Sequence, residues 1–105
     1  MVGLLHVPMF HGAGDSMTKR HISMKFSTYD QDNDLAPNGK SSCAIDFRGA
    51  WWYTYCHDSN LNGQYNNTVY GQSVNWREWL GHSYSLKFTE MKIRQVNFYE
   101  AIVRV

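Results

Sequence analysis

The stretch "GAWWYTYCHDSNLNGQY", Gly49 to Tyr65, packs two Trp, three Tyr, a Cys-His pair and an Asn-Gly turn into seventeen residues. Rings at this density build either a core or a binding surface. Asn62-Gly63 is the strongest turn signal of this region, because both residue types tolerate positive φ. Three catalytic or metal readings fail on geometry. Cys56-His57 sets a nucleophile beside a base, but adjacent residues do not easily meet in the needed arrangement. His57-Asp58-Ser59 holds triad residue types, yet triad members converge from separate elements. Cys43, Cys56, His57 and His82 lack the short paired spacings of zinc modules. What remains is a rigid aromatic platform beside a cysteine, which suits binding rather than catalysis.

Cys43 lies thirteen positions before Cys56, and the chain has no other cysteine. Polar turn residues surround both. That favours one disulfide and an oxidising compartment over two free thiols in a cytosolic core. Closing such a loop contributes about 3 kcal/mol in the chain-entropy picture. The sequon Asn66-Asn67-Thr68 agrees with secretion and makes Asn66 a glycosylation candidate.

The 105 residues allow one small domain with a limited core. A net charge of +1 gives no basic field for nucleic acid. No apolar run approaches membrane-spanning length, so no membrane insertion is expected. The opening "MVGLLHVPMF" lacks a basic start and contains His6 and Pro8, so it does not read as a signal peptide. It reads as a strand beginning in mid-fold, and the chain as a fragment.

Periodicity supports short strands and few helices. "HISMKFST", His21 to Thr28, alternates Ile22, Met24 and Phe26 on one face. "SYSLKFTEMKIRQV", Ser83 to Val96, is the clearest strand, with Tyr84, Leu86 and Phe88 alternating. Met91 and Ile93 continue in the opposite phase, so a bulge is expected near Thr89-Glu90. Asp30 to Ser42 reads as a loop dominated by Asp, Asn, Pro and Gly.

That loop carries Asp30, Asp32 and Asp34 at alternate positions. It is not an EF-hand, because Leu35 and Ser41 stand where the sixth-position Gly and twelfth-position Glu would be. Calcium nonetheless accepts irregular cages of carboxylate, carbonyl and water. On the residues alone, a cation loop and a solvated acidic turn both remain open.

The pattern "AGDSM…MKFSTYDQDND…GAWWY…CH-x-SNLNGQY…VNW-x-x-W…YSLKFTEMKIR" resembles the C-terminal half of fibrinogen-related domains. That family includes fibrinogen chains, ficolins, tachylectins, angiopoietins and tenascins. The resemblance runs from Leu5 to about Arg94. It implies an α+β, loop-rich fold with short antiparallel strands, a calcium loop and one disulfide. The whole chain, residues 1–105, would be one partial fibrinogen C-terminal-like domain.

The resemblance also implies site roles. Asp32 and Asp34 would be the side-chain ligands of one calcium ion, with backbone carbonyls near Ala36 and Asn38. Cys43 and Cys56 would form the family's bridge, with a cis peptide at Tyr55-Cys56. The backbone N–H groups of Cys56 and His57 would hold the carbonyl of an acetyl group. Phe47, His57, Tyr70, Gly71 and His82 would enclose its methyl. Phe47 and His82 replace family Tyr or Trp, and Gly71 replaces Ala. Fibrinogen chains place carboxylates at the positions of Phe47 and Gly71, which counts against a clotting-type peptide socket.

The resulting expectation is a secreted, non-catalytic module. It would bind acetylated carbohydrate, or another acetylated ligand, with calcium support, in the manner of an innate-immune lectin. The alternatives are a ligand for a cell-surface receptor, as in angiopoietins, and a matrix module, as in tenascins. Oligomerisation would run through segments absent from this chain.

Overall fold

His21 ties together the two segments that form the centre of the fold. Its buried ring donates from Nδ1 to the Trp52 carbonyl at 2.8 Å. Its Nε2 accepts from the backbone N–H groups of Asp58 and Ser59 at 3.1 and 3.3 Å. One neutral imidazole thus satisfies three backbone groups that would otherwise be buried without partners. This computed structural model describes residues 12–37, 41–95 and 99–104. The expected opening strand and Asn38 lie outside the described residues.

The aromatic platform is core on one side. Trp51, Trp52 and Tyr53 are buried with Met17, Leu61, Trp76 and Leu86. Trp51 and Trp52 meet edge to face at 5.2 Å, and Phe26 packs edge-on against Trp52 at 5.0 Å. Such contacts add roughly 0.5–1.5 kcal/mol each beyond buried area. Asn60 fixes the loops around them. It accepts from the Tyr53 hydroxyl at 2.6 Å, and its Nδ2 donates to the Phe47 and Gly71 carbonyls at 3.0 and 3.1 Å.

Regular elements are short. Helix α1 is Cys43–Asp46 and helix α2 is Arg77–Leu80. Ser42 caps α1 by accepting from the Ile45 N–H. Trp76 gives α2 no side-chain cap, and the distant Ser16 hydroxyl accepts the Glu78 N–H at 2.9 Å instead. Strand β1 (Ser59–Asn60) pairs antiparallel with β2 (Asn75–Trp76). Strand β3 (Glu90–Gln95) pairs antiparallel with β4 (Tyr99–Arg104), in a register that sets Glu90 opposite Arg104 and Gln95 opposite Tyr99.

Two expected strands come out shorter than the alternation suggested. His21 to Thr28 contributes two isolated bridges: Ser27 and Trp51 exchange both backbone bonds at 2.9 and 3.1 Å, and Thr28 and Gln31 exchange theirs at 3.0 and 3.2 Å across a tight turn. Ile22, Met24 and Phe26 are still the half-buried members, with Ser23 and Lys25 exposed. The strand expected over Ser83 to Val96 begins at Glu90. Before it, Leu86 is buried and donates to the Val74 carbonyl at 2.7 Å, while Tyr84 and Phe88 are exposed. No bulge joins two halves there. A ladder requires a partner, and Tyr84 to Thr89 has only the Leu86 backbone bond among the described residues.

Candidate ligand pocket and acidic loop

Cys43 and Cys56 are joined, with Cα atoms 5.5 Å apart, and the Tyr55-Cys56 peptide is cis. Cys56 and His57 then border a cavity of about 360 Å³. Phe47, Tyr70 and His82 complete the walls that the sequence placed there. Phe47 arrives at the C-terminal cap of α1, its N–H donating to the Cys43 carbonyl at 2.9 Å. Its ring meets His57 edge-on at 4.8 Å. His82 bridges the other side, 5.3 Å from His57 and 4.9 Å from Tyr70.

Gly71 lies behind this wall and does not line the cavity. Its φ of +75° is in the left-handed region, and its N–H donates to the His82 carbonyl at 2.9 Å. A Cβ there would stand 2.5 Å from Phe47 Cδ1 and 3.4 Å from His57 Cε1. The missing side chain is what lets the two rings close.

His57 is held neutral. Burial pushes its imidazole down to about 3, and His82 and His21 add repulsion to its charged form. Asn75 Nδ2 lies 3.4 Å from His57 Nε2 and also donates to the Gly71 and Ser73 carbonyls at 3.2 and 3.1 Å. The amide nitrogen therefore faces the ring, while His57 Nδ1 is buried with no partner among the described residues. His82 is also pushed below the ordinary range. Burial is the main cause, Asp58 pulls the other way, and Arg77 and Arg20 push with it. Among the described residues the backbone N–H groups of Cys56 and His57 have no acceptor.

Arg20, Tyr55, Asp58 and Arg77 also line the cavity, and sequence reasoning missed all four as wall residues. Asp58 is nearly buried and receives Arg20 Nε at 3.1 Å and Arg77 Nη1 at 3.5 Å. Arg20 also donates to the Tyr55 carbonyl at 3.3 Å. Asp58 had a signal, its place next to His57. The two arginines had none, since only the fold brings them together. Ser59, by contrast, turns away from His57 and gives its hydroxyl to the Met17 sulfur at 3.2 Å. The triad residue types thus do not converge.

The acidic loop is tightly self-bonded. Asp32 Oδ1 accepts the Asp34 N–H at 3.0 Å, and Asp34 Oδ1 accepts the Ala36 N–H at 2.8 Å. Asp34 Oδ2 accepts the Cys43 N–H at 2.7 Å, which fastens the loop to the start of α1. Asp30 instead accepts from the Thr28 hydroxyl at 2.7 Å. The Leu35 N–H donates to the Thr54 carbonyl at 3.0 Å, two residues from Cys56. Among the described residues no three His, Cys, Asp or Glu side chains converge as a metal site. A cation here would draw on two carboxylates, with carbonyls and water supplying the rest. That all-oxygen set fits a hard divalent cation, since each bonded carboxylate oxygen keeps a second lone pair.

Residues 4–96 match the family described as fibrinogen beta and gamma chains, C-terminal globular domain. Fibrinogen C domain-containing protein 1 of Macaca fascicularis is 54% identical over 87 residues, covering 80% of this chain and 19% of that protein. Human tenascin-R is 45% identical over 94 residues, covering 89% of this chain and 7% of that protein. The fibrinogen-like globe domain of human ANGPTL6 superposes with a TM-score of 0.63 at 40% identity, over 71% of this chain and 34% of that one. The chain thus spans less than a fifth of the length of these curated relatives. With its fold, disulfide and motifs in agreement, the chain belongs to the fibrinogen C-terminal globular domain family.

Proposed function

We propose that this chain is the C-terminal part of a secreted, non-catalytic recognition domain that binds acetylated glycans in the cavity at Cys56-His57. The observation that carries the reading is the cavity's make-up. Phe47, His57, Tyr70 and His82 surround it, and two backbone N–H groups without acceptors among the described residues adjoin it. An acetyl group needs that combination, with donors for its carbonyl and apolar rings for its methyl. His57 favours it further, because a buried neutral imidazole presents no charge to the methyl.

Asp32 and Asp34, with the Ala36 carbonyl and a carbonyl near Asn38, would hold the calcium ion. The ion would supply positive charge that rigidifies the loop, and the sugar would not touch it. The chain's own bonds carry that order to the pocket. Asp34 holds the N–H of Cys43, and Leu35 holds Thr54, so the loop braces both ends of the disulfide. Retention on N-acetylglucosamine resin, with release by free acetate, tests the reading. Passage straight through the resin by folded protein contradicts it.

A second reading is a protein ligand for a cell-surface receptor or a matrix module. It is favoured by the similarity to the globe domains of ANGPTL6 and ANGPTL2 and to tenascin-R. Capture of a receptor ectodomain without sugar binding would select it.

A further inference from the structure

A second groove, of about 230 Å³, opens beside the sequon. Tyr65, Asn66, Thr68, Tyr84, Ser85 and Lys87 help to line it. Its two rings are left in solvent, Tyr65 69% exposed and Tyr84 44%. The hydrogen bonds of this turn separate the two asparagines of the sequon. Asn67 is committed. Its Nδ2 donates to Gln64 Oε1 and Gln72 Oε1 at 2.8 and 3.2 Å, and its Oδ1 accepts from the Val69 N–H at 2.8 Å. Asn66 is exposed with φ +60°, a conformation asparagine tolerates. Its backbone N–H is fixed on the Ser85 hydroxyl at 2.8 Å. Among the described residues no hydrogen bond engages its carboxamide. Thr68 is exposed as well.

We infer that Asn66 carries an N-linked glycan and that the groove seats the glycan's first sugar. The occupant is covalently tethered to the groove's own lining, so no separate partner has to find it. In the modification, Asn66 Nδ2 bonds to C1 of a lipid-diphosphate-linked oligosaccharide. The C1–O bond to the diphosphate breaks, the lipid diphosphate leaves with the electron pair, and the amide proton passes to a base of the transferring enzyme. The apolar face of the sugar ring then covers Tyr84 and Tyr65, while Ser85 and Lys87 meet its polar edge. A groove of this size suits one ring rather than a chain. The seat fastens the turn that leads to Tyr70 in the candidate pocket. The inference rests on passage through a secretory pathway, as in the proposed function, and not on sugar binding.

The test secretes the full chain from glycosylating eukaryotic cells behind a heterologous leader. Intact mass should show one glycan, lost in Asn66→Gln and Thr68→Ala and kept in Thr68→Ser. Trimming with an endoglycosidase that leaves one N-acetylglucosamine should preserve the melting temperature of the glycosylated form. Asn66→Gln should melt several degrees lower. Tyr84→Ala should abolish the difference between the glycosylated and Asn66→Gln forms. It removes a half-exposed ring, so folding should survive. Absence of glycan on the secreted parent overturns the inference. So does a glycan whose presence leaves melting unchanged, or whose effect persists undiminished in Tyr84→Ala. Failure of acetylated sugar to bind elsewhere on the protein leaves all of these readouts intact.

Discussion

The Cβ position of Gly71 stands 2.5 Å from Cδ1 of Phe47, closer than van der Waals contact allows. Gly71→Ala must therefore push the Phe47 ring toward the cavity, and its φ of +75° adds strain for any side chain. Overpacking of this kind costs about 1–3 kcal/mol. Urea unfolding should show a lower midpoint at unchanged slope. Ligand affinity should fall by more than the stability loss explains, because the displaced ring occupies the pocket. Unchanged affinity with lower stability would separate Phe47 from the binding wall.

Asp32 and Asp34 should behave differently from each other. Asp34 accepts two backbone N–H groups, one of them on Cys43, so Asp34→Ala should destabilise the fold by about 1–3 kcal/mol even without calcium. Among the described residues Asp32 accepts only a local N–H from Asp34. Asp32→Ala should leave the calcium-free melting temperature nearly unchanged and remove the increase that calcium gives. Thermal melts of parent and variants, with calcium and with chelator, check both. An equal calcium-induced shift in Asp32→Ala and parent would refute the ligand assignment.

Stability should depend on pH through the buried imidazoles. His21, His57 and His82 all sit below their ordinary value of 6.5 when folded. Beneath that pH the unfolded chain binds more protons than the folded one, so stability falls as pH drops. For His57 the loss should continue from 6.5 down to about 3. Each fully buried imidazole contributes at most about 1.4 kcal/mol per pH unit. Above pH 7 these groups add no slope. Denaturant titrations from pH 8 to pH 4 should show a plateau and then a decline. His57→Gln should make the decline shallower.

His82 lines the pocket and is only half-buried, 4.9 Å from Tyr70. Its ring should stay neutral at pH 7, since burial lowers it. A neutral acetylated sugar should bind with constant affinity above the ordinary imidazole range and less well beneath it, as the ring charges beside the methyl. His82→Tyr should remove that dependence. Affinity measured across pH 5 to 8 in both proteins checks this, and identical profiles would place His82 outside the site.

The parts of the fold legible in the sequence were those fixed by local chemistry. Cys43 and Cys56 sit among polar turn residues, and Asn62-Gly63 marks a turn that the structure contains. Alternation was a poorer guide over Tyr84 to Phe88, because it reports which residues are apolar and not whether a partner strand is present. The long family motifs carried Phe47, His57, Tyr70 and His82 to one cavity. Arg20 and Arg77 were invisible because each reaches Asp58 across the fold. The coordination of the imidazoles was equally hidden. Nothing near His21 in sequence indicates that its ring serves Trp52, Asp58 and Ser59 at once.

Acetyl recognition at Cys56-His57, with Tyr70 as wall, can be measured on the sugar itself. Its most direct measurement is a calorimetric comparison of N-acetylglucosamine with glucosamine, in the parent and in Tyr70→Ala. Tyr70 is 63% exposed, so its removal should not unfold the protein. The acetylated sugar should bind the parent and the deacetylated sugar should not. Tyr70→Ala should lose about 1–3 kcal/mol of that binding, the worth of covering the methyl. Equal affinity of the folded parent for the two sugars, or full retention of binding in Tyr70→Ala, would contradict it.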